Sequence, residues 1–251
     1  MTAPNRFARV ALWLATAVLG GCVVVPYPAP TRTRARGVVK NAIDLRFLTV
    51  GATTRAEVLN AVGAFETGAS ADRFLWCRWE LSKAGIAGGA AGGAAIGPKR
   101  IWLHRNLVAV FDANQTLEWF RLRPDGELAP ALWEGTGLAG YQAPESLQFP
   151  FYSPKTVYLD ETYEMGTATV ENGVFRRRLM GERKAFTAPV RELRDIALGG
   201  TEDETDLRVN LRFAGGKSVK IGAEPIDLVR LMVALRKAGF SGPAVAPPSR
   251  R

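Results

Sequence analysis

The hydrophobic positions of the chain change period several times along its length. Val58, Leu59 and Val62 recur at helical spacing behind Thr54-Arg55-Ala56-Glu57. That tetrad fits the capping box, in which a hydroxyl and a carboxylate each satisfy a free backbone N–H. Gly63 suits the left-handed residue that closes such a helix. Upstream, Ile43, Phe47 and Leu48 predict a second, short helix ending by Gly51. The period then drops to two. Phe74, Trp76 and Arg78 alternate with Leu75, Cys77 and Trp79, so "RFLWCRWEL" predicts a strand. Leu107 to Phe111 and Leu117 to Leu122 predict two more, joined as a hairpin across Asp112-Ala113-Asn114-Gln115. The order over the block 41–128 is helix, helix, strand, strand, strand.

Residues 129–153 hold Pro, Gly and aromatic side chains without a period and read as an interdomain connection, packed in places through Trp133, Tyr141 and Phe151. The block 154–240 returns to strand period. Asn172-Gly173 predicts one hairpin turn and Gly215-Gly216 another. Leu207, Val209, Leu211 and Phe213 share one face of a strand, with Arg208, Asn210 and Arg212 on the other, and "VRELRDIAL" predicts a further strand. The block ends in an amphipathic helix, "EPIDLVRLMVALRKAGF", with Pro225 in the first turn. Leu228, Leu231, Met232 and Leu235 line its apolar face, Arg236 and Lys237 suit its C-terminal dipole, and Gly239 stops it. Residues 241–251 read as a disordered tail. The predicted fold class is α+β: a two-helix, three-stranded antiparallel module, then a mostly antiparallel β domain closed by a C-terminal helix.

The first 21 residues belong to no such element. Arg6 and Arg9 precede the uncharged, apolar-rich run Val10 to Leu19, which has the length of a signal core and is too short for a stable span. Leu19-Gly20-Gly21-Cys22 follows, and this resembles the bacterial lipobox. The resemblance implies that Cys22 becomes the mature N-terminus and carries acyl chains. It also implies the outer membrane, because Val23 stands where an inner-membrane retention aspartate would be. Two or more acyl chains hold a protein at a bilayer, whereas one anchors only marginally. Residues 22–40, rich in Pro and Arg, read as an extended tether between lipid and first domain.

"LTVGATTRAEVLNAVGAFE" and "LVAVFDANQTLEWFRL" are similar to the opening helix and the returning hairpin of the SmpA/OmlA (BamE-like) outer-membrane lipoproteins, over roughly residues 41–125. Ala64-Phe65 replaces that family's proline-bearing turn, and a glycine run lengthens the first strand connection. The resemblance implies a module that binds proteins and phospholipid without catalysis. The element order of 154–240 is similar to a bacterial PH-like domain, a likeness of order rather than motif. Together these imply a periplasm-facing lipoprotein that scaffolds envelope integrity or outer-membrane protein assembly, with envelope or barrel-assembly proteins as partners. Two alternatives remain: a module handling lipid or lipopolysaccharide, and a periplasmic enzyme inhibitor presenting an aromatic sheet face.

Charge narrows the partners. The formal net charge is +9; loss of residues 1–21 removes Arg6 and Arg9 and no acid, leaving +7. Nucleic acid is scarce outside the cell, so anionic head groups or acidic proteins are the counter-surfaces expected. The densest basic cluster is Arg176-Arg177-Arg178 with Arg183 and Lys184. On a strand Arg176 and Arg178 share a face, so those two, with Arg183 if the turn adds it, are the candidate anion or lipid contact. The plainer reading is an exposed strand guarded by charge. Trp76 and Trp79 point to opposite faces, so one is expected outward as a protein contact.

The residues expected for catalysis or metal binding are few. His104 is the sole histidine, with no G-x-S-x-G elbow to serve. Cys77 is alone once Cys22 is acylated, which leaves no disulfide and no transition-metal ligand set. Glu202, Asp203, Glu204 and Asp206 read as a solvated loop lacking calcium-site spacing. No enzyme activity, cofactor or metal is expected. "GIAGGAAGGAAIG" (Gly85 to Gly97) lacks the Lys-Ser/Thr of a phosphate loop and is too short to span a bilayer. It reads as a connection between strands or as a short packed helix, and the bracketing Lys83, Lys99 and Arg100 also allow it to dip into a lipid surface.

Overall fold

The computed structural model describes residues 23–35, 38–41, 43–62, 66–71, 73–89, 95–140, 145–157, 160–199 and 208–245. These divide into two units, one from the described parts of Met1–Ala42 and Glu80–Leu103, the other from Ile43–Trp79 and His104–Arg251. The chain is mostly β. No helix among the described residues is long and apolar enough to cross a membrane.

Unit 1 is built from β1 (Val23–Ala35), β2 (Val38–Asn41) and the outer parts of β4 (Phe74–Gly89) and β5 (Ala95–Phe111), in the order β2-β1-β4-β5. The expected tether at 22–40 is therefore corrected: its described residues, 23–35 and 38–40, lie in two strands. Its prolines do not forbid this. Pro26, Pro28 and Pro30 alternate, so the missing N–H groups fall on one edge, and among the described residues Val23–Pro28 pairs with β4 alone. The glycine run is likewise strand where it is described, since β4 continues to Gly89 and β5 begins at Ala95. Tyr27 lies opposite Gly85 and its ring occupies the space a β-carbon there would need. The glycine is what lets the ring lie flat on the sheet.

In unit 2 the first sheet runs β3 (Glu66–Ala71), β4, β5, β6 (Leu117–Arg123), with α1 (Arg55–Val62) preceding it. The expected two-helix, three-stranded module is corrected: residues 43–51 form turns, and β3 is an additional strand. Local bonds explain the lost helix. Thr53 Oγ1 donates to the Phe47 carbonyl (2.8 Å) and accepts from the Thr49 amide (2.9 Å). Gly51 and Leu117 are joined through N–H and carbonyl, as are Leu117 and Thr53, so this stretch is bound to the edge of β6. The α1 cap has the predicted form: Thr54 N–H donates to Glu57 (2.7 Å) and Glu57 N–H to Thr54 Oγ1 (3.3 Å). Gly63 lies outside the described residues.

The expected connection 129–153 is also corrected. It holds α2 (Leu128–Leu138) and most of β7 (Ser146–Val157). Pro130 sits in the first turn of α2, where its missing N–H costs nothing. Gly135 is there for closeness: a β-carbon would stand 3.1 Å from Trp119 Cζ3 and 3.2 Å from both Phe74 Cε2 and Val108 Cγ1.

Seven further strands follow: β8 (Asp160–Glu171), β9 (Val174–Leu179), β10 (Phe186–Pro189), β11 (Leu193–Gly199), β12 (Arg208–Phe213), β13 (Ser218–Gly222) and β14 (Ala244–Val245). With β7 they form one eight-stranded sheet ordered β10-β9-β8-β7-β13-β12-β11-β14. β14 pairs parallel to β11, so part of the expected tail is strand. The hairpin turns fall at Asn172-Gly173 and Gly215-Gly216, all with positive φ. α3 (Pro225–Lys237) buries Leu228, Leu231, Met232 and Leu235 in a core that runs on through Phe151, Phe175, Leu211, Leu132 and Trp76.

Replacing Gly135 with leucine is expected to lower stability by about 3 kcal/mol, because three large neighbours must move together. The shift in urea midpoint measures it.

Candidate functional site

Alternation along β8 and β9 separates a core face from an open face. Gly166, Ala168, Val170, Phe175 and Leu179 are buried, while Arg176 and Arg178 are exposed and Thr167 and Thr169 half-exposed. Register sets Arg176 between Thr169 and Thr187, and Arg178 opposite Thr167. Two residues further along β8, Met165 and Tyr163 are 51% and 47% exposed. Met180, 81% exposed, begins the next turn and its amide donates to the Met165 carbonyl (2.8 Å). Thioether groups so exposed and so close to two arginines make a surface that is apolar and cationic together. Such a surface takes amphipathic or anionic partners.

The face continues across the sheet. Tyr152 lies opposite Met165 and meets Tyr163 edge-on at 5.1 Å. Tyr152 also covers Gly222 of β13, as Phe151 covers Gly166 on the core side. Arg208 of β12 stands 5.9 Å from the Tyr163 ring and donates to its hydroxyl at 3.4 Å. Lys220 is exposed between buried Val219 and Ile221, and Asp195 is held by Arg212 at 2.9 Å.

Of the sequence-derived residues, Arg176 and Arg178 stand together on this face. Arg177 points the other way and grips Glu182 with bonds of 2.7 and 3.0 Å, closing the turn after β9. That bond holds the Glu182 carboxyl below its ordinary range, with a smaller contribution from the Leu179 amide. Arg183 is exposed on this turn. Trp76 and Trp79 do lie on opposite faces of β4, yet both are buried, so neither is a protein contact as expected. The reason is coverage on both sides. Phe74 and Trp76 face the α2 core, where Trp76 Nε1 donates to buried Asn106 at 3.0 Å. Leu75, Cys77 and Trp79 are buried with Leu107 and Phe111, over which Arg55 of α1 lies at 5.9 Å. Burial pushes the Cys77 thiol up to about 12. His104 is half-buried on β5. Among the described residues no three His, Cys, Asp or Glu side chains gather to hold a metal. Cys22 and the acidic run 202–206 lie outside them.

A shallow hollow elsewhere, lined by Val50 and Glu118 to Arg123, is a guarded strand edge. β6 ends its sheet, and its own arginines cap it: Arg121 donates to the Phe120 carbonyl (2.9 Å) and Arg123 to that of Leu122 (3.2 Å). Glu134 fixes Arg121 at 3.0 Å, and Arg121 lies 4.8 Å from the Trp119 ring.

The chain matches no family model and no curated protein. Sequence reading missed Met165, Met180, Tyr163 and Arg208, because their proximity is set by cross-strand register rather than by spacing along the chain.

The Arg177–Glu182 pair makes a pH prediction. Because the folded carboxyl titrates below its ordinary value near 4.5, its stabilising effect is complete above that pH and fades as pH falls through the folded value. The melting-temperature gap between wild type and Glu182→Gln should therefore hold at neutral pH and close in acid.

Proposed function

We propose that this chain is a lipid-anchored, non-catalytic binding module at the periplasmic face of the bacterial outer membrane, where it scaffolds proteins of the envelope. The observation that carries the reading is Leu19-Gly20-Gly21-Cys22 behind a basic start and an apolar core. Val23 after the cysteine supports the outer membrane as its address. The fold lacks the two-helix, three-stranded module that the family resemblance implied, so the reading rests on the anchor and on the exposed face of the eight-stranded sheet. There Arg176, Arg178, Met165 and Met180 form the surface for an acidic or amphipathic partner. Acylation raises the effective concentration of that surface for partners at the same membrane. The same combination of arginine and methionine favours a second reading, in which the face takes lipid head groups directly. With Trp76 and Trp79 buried, nothing favours an inhibitor.

Two measurements test this. The full chain expressed in a Gram-negative cell should fractionate with the outer membrane, and its N-terminal peptide should carry the mass of acyl chains on Cys22. Cys22→Ser should abolish the acyl mass, and a wild-type N-terminal peptide without that mass overturns the anchor. Crosslinking in intact cells should recover barrel-assembly subunits, with yield falling about tenfold on Arg176→Glu with Arg178→Glu. Recovery of lipid-transport proteins instead selects the second reading.

A further inference from the structure

We infer that the end of unit 1 formed by Val23–Pro28 of β1 and Ala84–Gly89 of β4 inserts into the periplasmic leaflet of the bilayer to which Cys22 is attached, so that the anchor is a folded element rather than a flexible tether. The inference rests on the lipobox reading and deepens it. Register supplies the first argument. Val23 pairs with Gly89, Val24 with Gly88, Val25 with Ala87, Pro26 with Ile86, Tyr27 with Gly85 and Pro28 with Ala84. Cys22 is the next residue before Val23, so acyl chains borne there leave the protein at the level where β4 ends. No slack chain separates lipid from strand.

Charge supplies the second. From Val23 to Thr31 the only polar side chains are Tyr27 and Thr31, and between Lys83 and Lys99 the chain has no polar side chain at all. Lys83 to Gly89 spans about 20 Å at strand rise. That is the scale of one leaflet's hydrocarbon, about 15 Å, plus part of its interface. Beyond that length the charges begin together on every strand. They are Lys83 on β4, Arg32 and Arg34 on β1 opposite Ser82 and Glu80, Lys40 on β2 opposite Thr33, and Lys99 and Arg100 on β5. Among the described residues β2 pairs with Arg32–Ala35 and so stops short of the apolar end. A band of basic positions behind an apolar end is complementary to anionic head groups, each contributing on the order of 1 kcal/mol of attraction. Arg100 also donates to the Pro30 carbonyl at 2.8 Å, tying β5 to β1 at the height of this band.

Backbone chemistry supplies the third. An unpaired N–H in hydrocarbon costs several kcal/mol, which is why open edges avoid lipid. Among the described residues β1 pairs along its apolar half with β4, and Pro26 and Pro28 have no N–H to leave unpaired. Both prolines are exposed. Tyr27, half-buried on Gly85, sits at the depth where a ring with a polar tip suits the head-group boundary. The carbonyls of the edge away from β4 remain, so the element enters from one side and does not span.

The experiment places nitroxides in the acylated full chain, reconstituted in vesicles of phosphatidylethanolamine and phosphatidylglycerol. Cys77 is buried with a raised thiol, so an added cysteine is labelled selectively. Ala87→Cys should be several-fold more accessible to oxygen than to a water-soluble nickel chelate, and Lys99→Cys should show the reverse. A label at Ala87 as exposed to the chelate as one at Met180→Cys overturns the inference. A second measurement uses the mature chain carrying Cys22→Ser, which should still float with these vesicles and lose about tenfold in binding on Ile86→Lys; equal binding also overturns it. The mass of the N-terminal peptide reports acylation separately. An acylated chain with Ala87 in water sinks the insertion and keeps the anchor, whereas an unacylated chain with Ala87 shielded sinks the anchor alone.

Discussion

Close approach of α2 to the strands beneath it organises unit 2. Gly135 brings the helix backbone within reach of Trp119, Phe74 and Val108, a distance no larger residue permits without moving three bulky groups. α2 also meets α3, β11 and β14. Arg236 of α3 locks that contact, its guanidinium 3.6 Å from the centre of the Trp133 ring and its Nη2 donating to the Trp133 carbonyl at 2.6 Å. The two sheets of unit 2 therefore share one core, from Phe74 through Leu132 to Phe240. A helix that looked like linker is the element both sheets need.

What the sequence made legible was local. The Thr54–Glu57 cap, the turns at Asn172-Gly173 and Gly215-Gly216, and the helix behind Pro225 each carry their cause in adjacent residues. What it hid depends on a partner distant in the chain. Pro130 and Gly135 argue against a helix until the first turn and the neighbouring rings are known. Pro150 and Pro154 argue against β7, yet that strand has β8 along one edge and, among the described residues, one pair, Tyr152 with Gly222, along the other. Glycines at 85, 166 and 222 look like breaks in a strand, but each lies under an aromatic ring from the strand beside it. The candidate face was half visible for the same reason. Period two set Arg176 and Arg178 side by side; only register could add Met165, Tyr163 and Arg208. Trp76 and Trp79 show the complementary limit, since alternation gives the face and not whether that face is covered.

Arginine does two different jobs in this chain, and the distinction sharpens which residues face a partner. Arg73 with Glu118, Arg121 with Glu134, Arg123 with Glu127, Arg177 with Glu182, Arg212 with Asp195 and Arg230 with Asp227 are all ion-paired within the molecule. Exposed pairs of this kind add little stability, on the order of 0–1 kcal/mol each. Their effect is positional: they cap the carbonyls of β6, close the turn after β9, and tie neighbouring elements. Arg176 and Arg178 have no such partner among the described residues, although Glu171 and Glu182 lie within a few positions along the chain. Glu182 is instead taken by Arg177 on the opposite side of the strand. The alternation that sends Arg177 inward thus removes the nearby acid from its neighbours. Their charge is left directed outward, beside exposed thioethers, toward whatever meets that face.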